Sequence, residues 1–411
     1  MNSFEEKYFD KLINKYSEKP NKITNYPLAS PKPFSNNDLI EGVKVLLSGR
    51  LTMSEITKKF ELQFAKYVGS KHALMVNSGS SANLLALFAL INPEQKNRIK
   101  PGSNVILPAL CWSTSLWPIV QSGLIPKFAD INLKTLNLET SSIKKLIDSK
   151  TSAVLTVHVL GNSTNMSKLK KIINKNNLIL IEDTCESLGS KYDGKFLGTF
   201  GKFGTYSFYI SHQITSSEGG MIVCDSQEDY NLIFKLRSHG WDRGLKNKKN
   251  NSFNFINSGF NLRPTDLTAA IGFSQFKRLN KMKTIRSINR DKIVNGLKSS
   301  KKWQNQFSFL EPVEKLEPSW FGFPIILRKD LKDKKNKFLK FLSRKGIETR
   351  PIISGNFLNQ PSVKLYKLKG NPKDFRNAQE IEDRGFFIGL HTDLISNKDL
   401  VFLINNLLNI K

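Results

Sequence analysis

Cysteine is scarce in this chain, with three residues among 411. Cys111, Cys185 and Cys224 lie far apart without metal-ligand spacing. That excludes a zinc module and a disulfide framework. Such cysteine usage suits a reducing compartment, and the cytoplasm is the expected location. Long apolar runs are also missing: nothing approaches the ~18 consecutive apolar residues of a membrane span. The opening Met1-Asn2-Ser3-Phe4-Glu5-Glu6-Lys7 is acidic early and has no apolar core, so it reads as no secretory leader. Acidic residues are outnumbered, with 35 Asp and Glu against 63 Lys and Arg, a net charge of +28. That balance invites nucleic acid. The basic residues are spread along the whole chain, however, and no zinc-finger or RNA-binding motif accompanies them. Nucleic acid is therefore excluded as the main partner. A positive field also gathers anionic small molecules.

The length suffices for one large α/β domain and a smaller one. Residues 3–17 read as a helix. A proline-bearing extended arm comes next, with Pro20, Pro27, Pro31 and Pro33. Residues 37–69 hold two helical stretches, and Phe60, Phe64 and Tyr67 recur at helical spacing as a core stripe. Strand and helix then alternate. Apolar strands are expected at 72–76, 104–108, 125–130, 152–158, 178–183 and 221–224, with helices opening near 79 and spanning 165–175. This is the signature of a mostly parallel sheet with helices on both faces, which binds ligands at its strand ends. The Lys/Asn-rich residues 244–256 read as a mobile loop, and 265–298 as one long helix. Residues 305–411 read as a smaller α+β unit, with strands near 319–327 and 347–351 and helices near 330–344 and 396–408. The expected division is an arm at 1–35, a large cofactor-binding domain at 36–265, a connecting helix at 266–300 and a small C-terminal domain at 301–411.

Several strand ends carry candidate chemistry. Asn77-Ser78-Gly79-Ser80-Ser81 opens a helix. Outward N–H groups and the helix dipole make such a turn an anion site, although an ordinary N-cap has the same composition. Asp183 ends an apolar strand, where a carboxylate is costly unless paired. It also reads as a cap for the next helix. Trp112 comes after another strand, as a core aromatic or a ligand surface. The stretch Ser207-Phe208-Tyr209-Ile210-Ser211-His212-Gln213 runs from an apolar strand into a turn and ends at Glu218-Gly219-Gly220.

That last segment resembles the active-site segment of the DegT/DnrJ/EryC1/StrS sugar aminotransferases, which reads Ser-Phe-aromatic-Pro-x-Lys-Asn. The resemblance spans about residues 37–400. It implies a pyridoxal phosphate enzyme of fold type I, with a mostly parallel large domain and a smaller α+β C-terminal domain. The family's lysine forms the Schiff base with the cofactor, and here His212 holds its place. An imidazole cannot form an imine, but it can move protons near neutral pH. A branch of the family carries this replacement: the sugar 3-dehydrases of deoxysugar and lipopolysaccharide O-antigen biosynthesis. A second stretch, Thr349-Arg350 with Gly355-Asn356 and Gln360-Pro361, is also similar to that branch.

The resemblance implies cofactor contacts at Ser80, Ser81 and Ser207, with Trp112 stacking on the pyridine ring and Asp183 pairing with its nitrogen. Gly259-Phe260-Asn261-Leu262-Arg263 matches a signature whose Asn reaches the cofactor phosphate of the neighbouring subunit. Asn261 thus implies a homodimer with shared active sites. His212 is the catalytic candidate, and Arg350 a candidate for an anionic substrate group. The implied reaction removes the C3 hydroxyl of a 4-keto-6-deoxy nucleotide sugar, with glutamate regenerating the pyridoxamine form. Some dehydrases of this branch hold a [2Fe–2S] cluster in a segment like Trp-Gly-Arg-Asp-Cys-Trp-Cys. Here Arg243 and Leu245 stand at the cysteine places, so no iron–sulfur cluster and no metal are expected. Two other readings stay open: an aminotransferase served by another lysine, and a silent cofactor-binding protein.

Overall fold

A computed structural model describes residues 3–16, 25–245 and 253–410. Its centre is a seven-stranded sheet. The chain supplies β1 (His72–Val76), β2 (Asn104–Pro108), β3 (Ile125–Ala129), β4 (Thr151–Val157) and β5 (Ile179–Asp183). A short ribbon, β6 (Lys191–Tyr192) and β7 (Lys195–Phe196), precedes β8 (Phe203–Ser207) and β9 (Gly220–Cys224). The spatial order is β1-β9-β8-β5-β4-β2-β3. β8, β5, β4, β2 and β3 pair in parallel, while β9 runs antiparallel to both β1 and β8. β2, β8 and β9 are buried along their whole length. Strands covered on both faces read as continuous apolar runs, and Val105-Ile106-Leu107 is such a run.

The helix Gly79–Ile91 lies against β8 and β9 and is apolar nearly all round, with Leu85, Ala86, Leu87, Ala89 and Leu90 buried. A helix of that kind belongs inside a protein. Each such Leu contributes about 1.5–3 kcal/mol on burial. The outer helix Met166–Lys175 is amphipathic instead, burying Met166, Leu169, Ile172 and Ile173 and exposing Lys168, Lys171 and Lys175. Phe60 and Phe64 are core residues, and Tyr67 packs half-buried beside them.

A second, antiparallel sheet is built from β10 (Phe307–Phe309), β12 (Gly322–Leu327) and β13 (Gly385–Gly389). β11 (Leu316–Glu317) joins the β6–β7 ribbon. Residues 25–30 are tied to this second sheet. The buried Tyr26 donates its hydroxyl to the Gly389 carbonyl and stacks on His391.

Two sequence expectations need correction. The long helix at 265–298 is two helices, Asp266–Phe276 and Leu279–Lys298. Neither Gly nor Pro marks the break. It falls where Arg278 turns aside to pair with the buried Asp38, a tertiary contact invisible locally. The strand at 347–351 is only isolated pairing, Ile347 with Tyr26 and Arg350 with Phe387. Pro351 cannot donate to a ladder and ends it. The loop at 244–256 lies partly outside the described residues. At its described ends, Phe253 stacks on Trp241 at 5.0 Å and Phe255 pairs with the same residue.

Candidate active site

The strand ends converge on Asp183. β5 places it beside Val157 of β4 and Thr205 of β8. It is buried, and neutral donors rather than a cation hold its carboxylate. Oδ2 accepts from Asn83 Nδ2 at 2.8 Å and from Ser115 Oγ at 2.7 Å. Oδ1 accepts from the Cys185 N–H at 3.2 Å. Thr205 Oγ1 donates to Asn83 Oδ1, which fixes that amide's orientation. Asp183 is thus more than a cap: two buried side chains from separate helices are aimed at it. The adjacent Glu182 is spent inside the fold, accepting from Gly198, Phe200 and Gly201 N–H groups and facing His158 Nε2.

The anion turn sits next to it. Ser78 caps the helix, accepting from the Ser81 N–H at 3.1 Å. The Ser81 hydroxyl donates to Asn77 Oδ1, and the Ser80 hydroxyl to Thr114 Oγ1. Ser207, at the end of β8, packs against Gly79 so closely that an added Cβ there would stand 2.6 Å from Ser207 Cβ and 2.9 Å from Cys185 Sγ. Only glycine lets the helix N-terminus approach both strand ends. Gly79→Ala is therefore expected to destabilise the fold by about 1–3 kcal/mol through overpacking. A urea titration would show it as a lower midpoint.

His212 lies one turn beyond β8. Its N–H donates to the Tyr209 carbonyl, which closes the turn. The ring sits edge-on to Phe321 at 5.0 Å and to Tyr209 at 5.9 Å. Nδ1 is buried with no partner. Burial, and then the Arg286 and Arg350 charges, push the imidazole down to about 3. At neutral pH it is an uncharged base. A small cavity lies behind it, lined by Ser30, Gln213, Gln275, Arg286, Leu390 and Thr392. Among the described residues no lysine lines that cavity.

Trp112 caps the helix Ser113–Gln121 and is 58% exposed, so the core-aromatic alternative falls. Arg350 is exposed at the rim, its backbone paired with Phe387. Asn261 is exposed, accepting from Arg263 Nε, while the next residue's carbonyl accepts from the Asn77 N–H. Sequence reasoning missed Asn83, Ser115, Glu186 and Arg286. Burial and the Asp183 charge raise the Glu186 carboxyl to about 7, even though it accepts from the Leu160 N–H. Asn83 left a signal, as a polar residue in an otherwise apolar helix. The others left none.

A doubly wound sheet with a carboxylate, a helix N-terminus and an imidazole gathered at its strand ends defines an α/β enzyme of the aminotransferase architecture. The chain belongs to the DegT/DnrJ/EryC1/StrS aminotransferase family, whose pattern matches residues 35–402. It is 39% identical over 381 residues to the GDP-4-keto-6-deoxy-D-mannose 3-dehydratase of Escherichia coli O55:H7, covering 90% of this chain and 96% of that one. The solved E. coli 3-dehydratase with bound hydrated pyridoxal phosphate superposes with a TM-score of 0.87 at 37% identity, over 94% of this chain and 100% of that one. A GDP-4-keto-6-deoxymannose 3-dehydratase with a trapped pyridoxal phosphate–glutamate geminal diamine gives 0.86 at 36% identity, over 94% and 100%.

Proposed function

We propose that this chain is a pyridoxal phosphate-dependent 3-dehydrase acting on a 4-keto-6-deoxy nucleotide sugar, with glutamate as the amine donor. The observation that carries the reading is His212, a neutral imidazole with a bare, buried Nδ1 at the turn where the aminotransferases of this family carry their lysine. The site fits the cofactor on its own terms. Asp183 presents a buried carboxylate suited to a protonated ring nitrogen, the helix at Gly79 presents N–H donors suited to a phosphate, and Trp112 presents an open aromatic face. Bound as the amine, the cofactor supplies a nucleophilic nitrogen for the sugar's ketone and an electron-accepting ring.

The chain's own groups do the rest. His212 takes up and returns the proton whose movement accompanies loss of the C3 hydroxyl. Asp183 holds the ring nitrogen positive. Ser80, Ser81 and Ser207 surround the phosphate, and Arg350 at the rim meets an anionic part of the substrate. Asn261 faces out of its own subunit and serves the site of a second copy, which makes the enzyme a homodimer. The E. coli relatives make GDP-4-keto-6-deoxymannose the substrate to try first.

The test is to load purified protein with pyridoxal phosphate and glutamate, follow 2-oxoglutarate, then add GDP-4-keto-6-deoxymannose. The expected outcome is a 3-deoxy sugar, lighter by one oxygen atom, with ammonia released. An amino sugar, or a lysine trapped by borohydride, would make the chain an aminotransferase instead. Cofactor binding without turnover would make it a silent binding protein.

A further inference from the structure

Among the described residues three arginines are buried. Arg237 meets Glu61, and Arg384 meets Glu380. Arg286, 5% exposed, meets no carboxylate. Three backbone carbonyls satisfy its guanidinium. Nη2 donates to His212 at 3.2 Å, Nη1 to Gln213 at 3.0 Å, and Nε to Leu390 at 3.1 Å. Two of those carbonyls belong to the turn that carries the catalytic candidate. The third lies just past β13 in the second sheet. Burying a cation without an anion costs stability, and a fold under no other demand would use a neutral donor or an apolar residue there.

We propose that Arg286 is a positioning residue: its guanidinium ties the His212–Gln213 backbone to the Leu390 carbonyl and so holds the imidazole in one orientation at the active site. The inference rests on the reading of His212 as the proton-moving group. Carbonyls in an irregular turn need donors, and a planar fork is the one side chain that reaches three of them from a single helix position. A fixed positive charge behind the ring also disfavours the imidazolium. The charged groups acting on His212 are Arg286 from the helix Leu279–Lys298 and Arg350 from the loop before Pro351. Its other neighbours are Tyr209 in its own segment and Phe321 ahead of β12. Glu186 lies beyond Gln213, whose amide donates to its carbonyl.

The test compares Arg286→Met and Arg286→Lys in the holoenzyme. It uses steady-state kinetics across pH and an NMR titration of the His212 imidazole, assigned with His212→Gln. In Arg286→Met, kcat is expected to fall about 10²-fold through misplacement of the ring. KM for the sugar should stay within about twofold. The imidazole midpoint should rise by about one unit or more as the cation is lost. Arg286→Lys keeps the charge but cannot span three carbonyls, so kcat falls while the midpoint stays low. If both variants melt earlier but keep the wild-type kcat, pH profile and imidazole midpoint, Arg286 is a structural rivet and the proposal is overturned. If Arg286→Met does not fold, a wild-type kcat in Arg286→Lys overturns it equally. Should His212→Gln retain turnover, it is the reading of His212 that fails. The imidazole midpoint in Arg286→Met, read without sugar, then still decides whether Arg286 governs the ring.

Discussion

His212→Gln is expected to lower kcat for sugar dehydration by about 10²–10⁴-fold, the range a positioned proton-transfer group supplies. Cofactor binding should survive, because the groups proposed to hold it do not bond to the ring: Asp183, the Gly79 turn and Trp112 sit at other strand ends, and Ser207 at the end of β8 packs against Gly79. Glutamine retains polarity and approximate length but cannot take a proton, so the change tests proton transfer rather than packing. The same variant has a second readout. The folded imidazole is held at about 3, below its ordinary 6.5. Between those values the unfolded chain binds a proton that the folded chain does not. The stability this group contributes is therefore present above pH 6.5 and lost as pH falls toward 3. His212→Gln removes that dependence. Its urea midpoint should drop less than the wild type's on going from neutral pH to about pH 5. A variant that keeps turnover while losing the acid response would show that His212 is a packed core histidine.

The chain disclosed its central sheet through local patterns. The apolar runs at 72–76 and 104–108 are strands β1 and β2 to the residue, and the run ending at Asp183 is β5 within one residue. Runs buried on both faces leave strong signals, because every position must be apolar. The second sheet was less legible. β13 is Gly-Phe-Phe-Ile-Gly, as long as β1 and β2 but with a glycine at each end and a short apolar run between, and it reads as a strand only once it pairs with β12. The break at Lys277 and Arg278 had no local signal, since its cause is Asp38, some 240 residues away. The same divide runs through the site. Asp183 stood out as a carboxylate where an apolar strand ends, and His212 because the segment around it resembles the family's, with the imidazole in the lysine's place. Arg286 is one of several basic residues on a long helix, and only the fold shows that it alone is buried against the histidine turn. Trp112 could not be sorted from composition, because a core aromatic and an exposed ligand surface look identical in one dimension.

Asp183→Asn should lower kcat by about 10²-fold or more, the loss expected on removal of a preorganised electrostatic partner. The geometry also predicts a structural cost, and the two effects can be separated. Both carboxylate oxygens face donors: Asn83 Nδ2 and Ser115 Oγ on one side, the Cys185 N–H on the other. An asparagine has one acceptor and one donor group. Whichever way its amide turns, a donor meets a donor, and a buried group is left unpaired at about 1–3 kcal/mol. With the amide nitrogen on the Oδ2 side the Ser115 hydroxyl can rotate to accept, whereas Asn83 Nδ2 stays a donor because Thr205 Oγ1 holds its oxygen; Asn83→Ala therefore relieves the clash. In the double variant Asp183→Asn with Asn83→Ala, stability should therefore recover toward that of Asn83→Ala alone, a non-additivity readable in a double-mutant cycle. Activity should not recover, because the negative charge that would hold a ring nitrogen protonated is still missing. If kcat returns together with stability, the carboxylate matters only as the keystone of a buried hydrogen-bond network. If stability returns and kcat does not, the charge itself carries the chemistry.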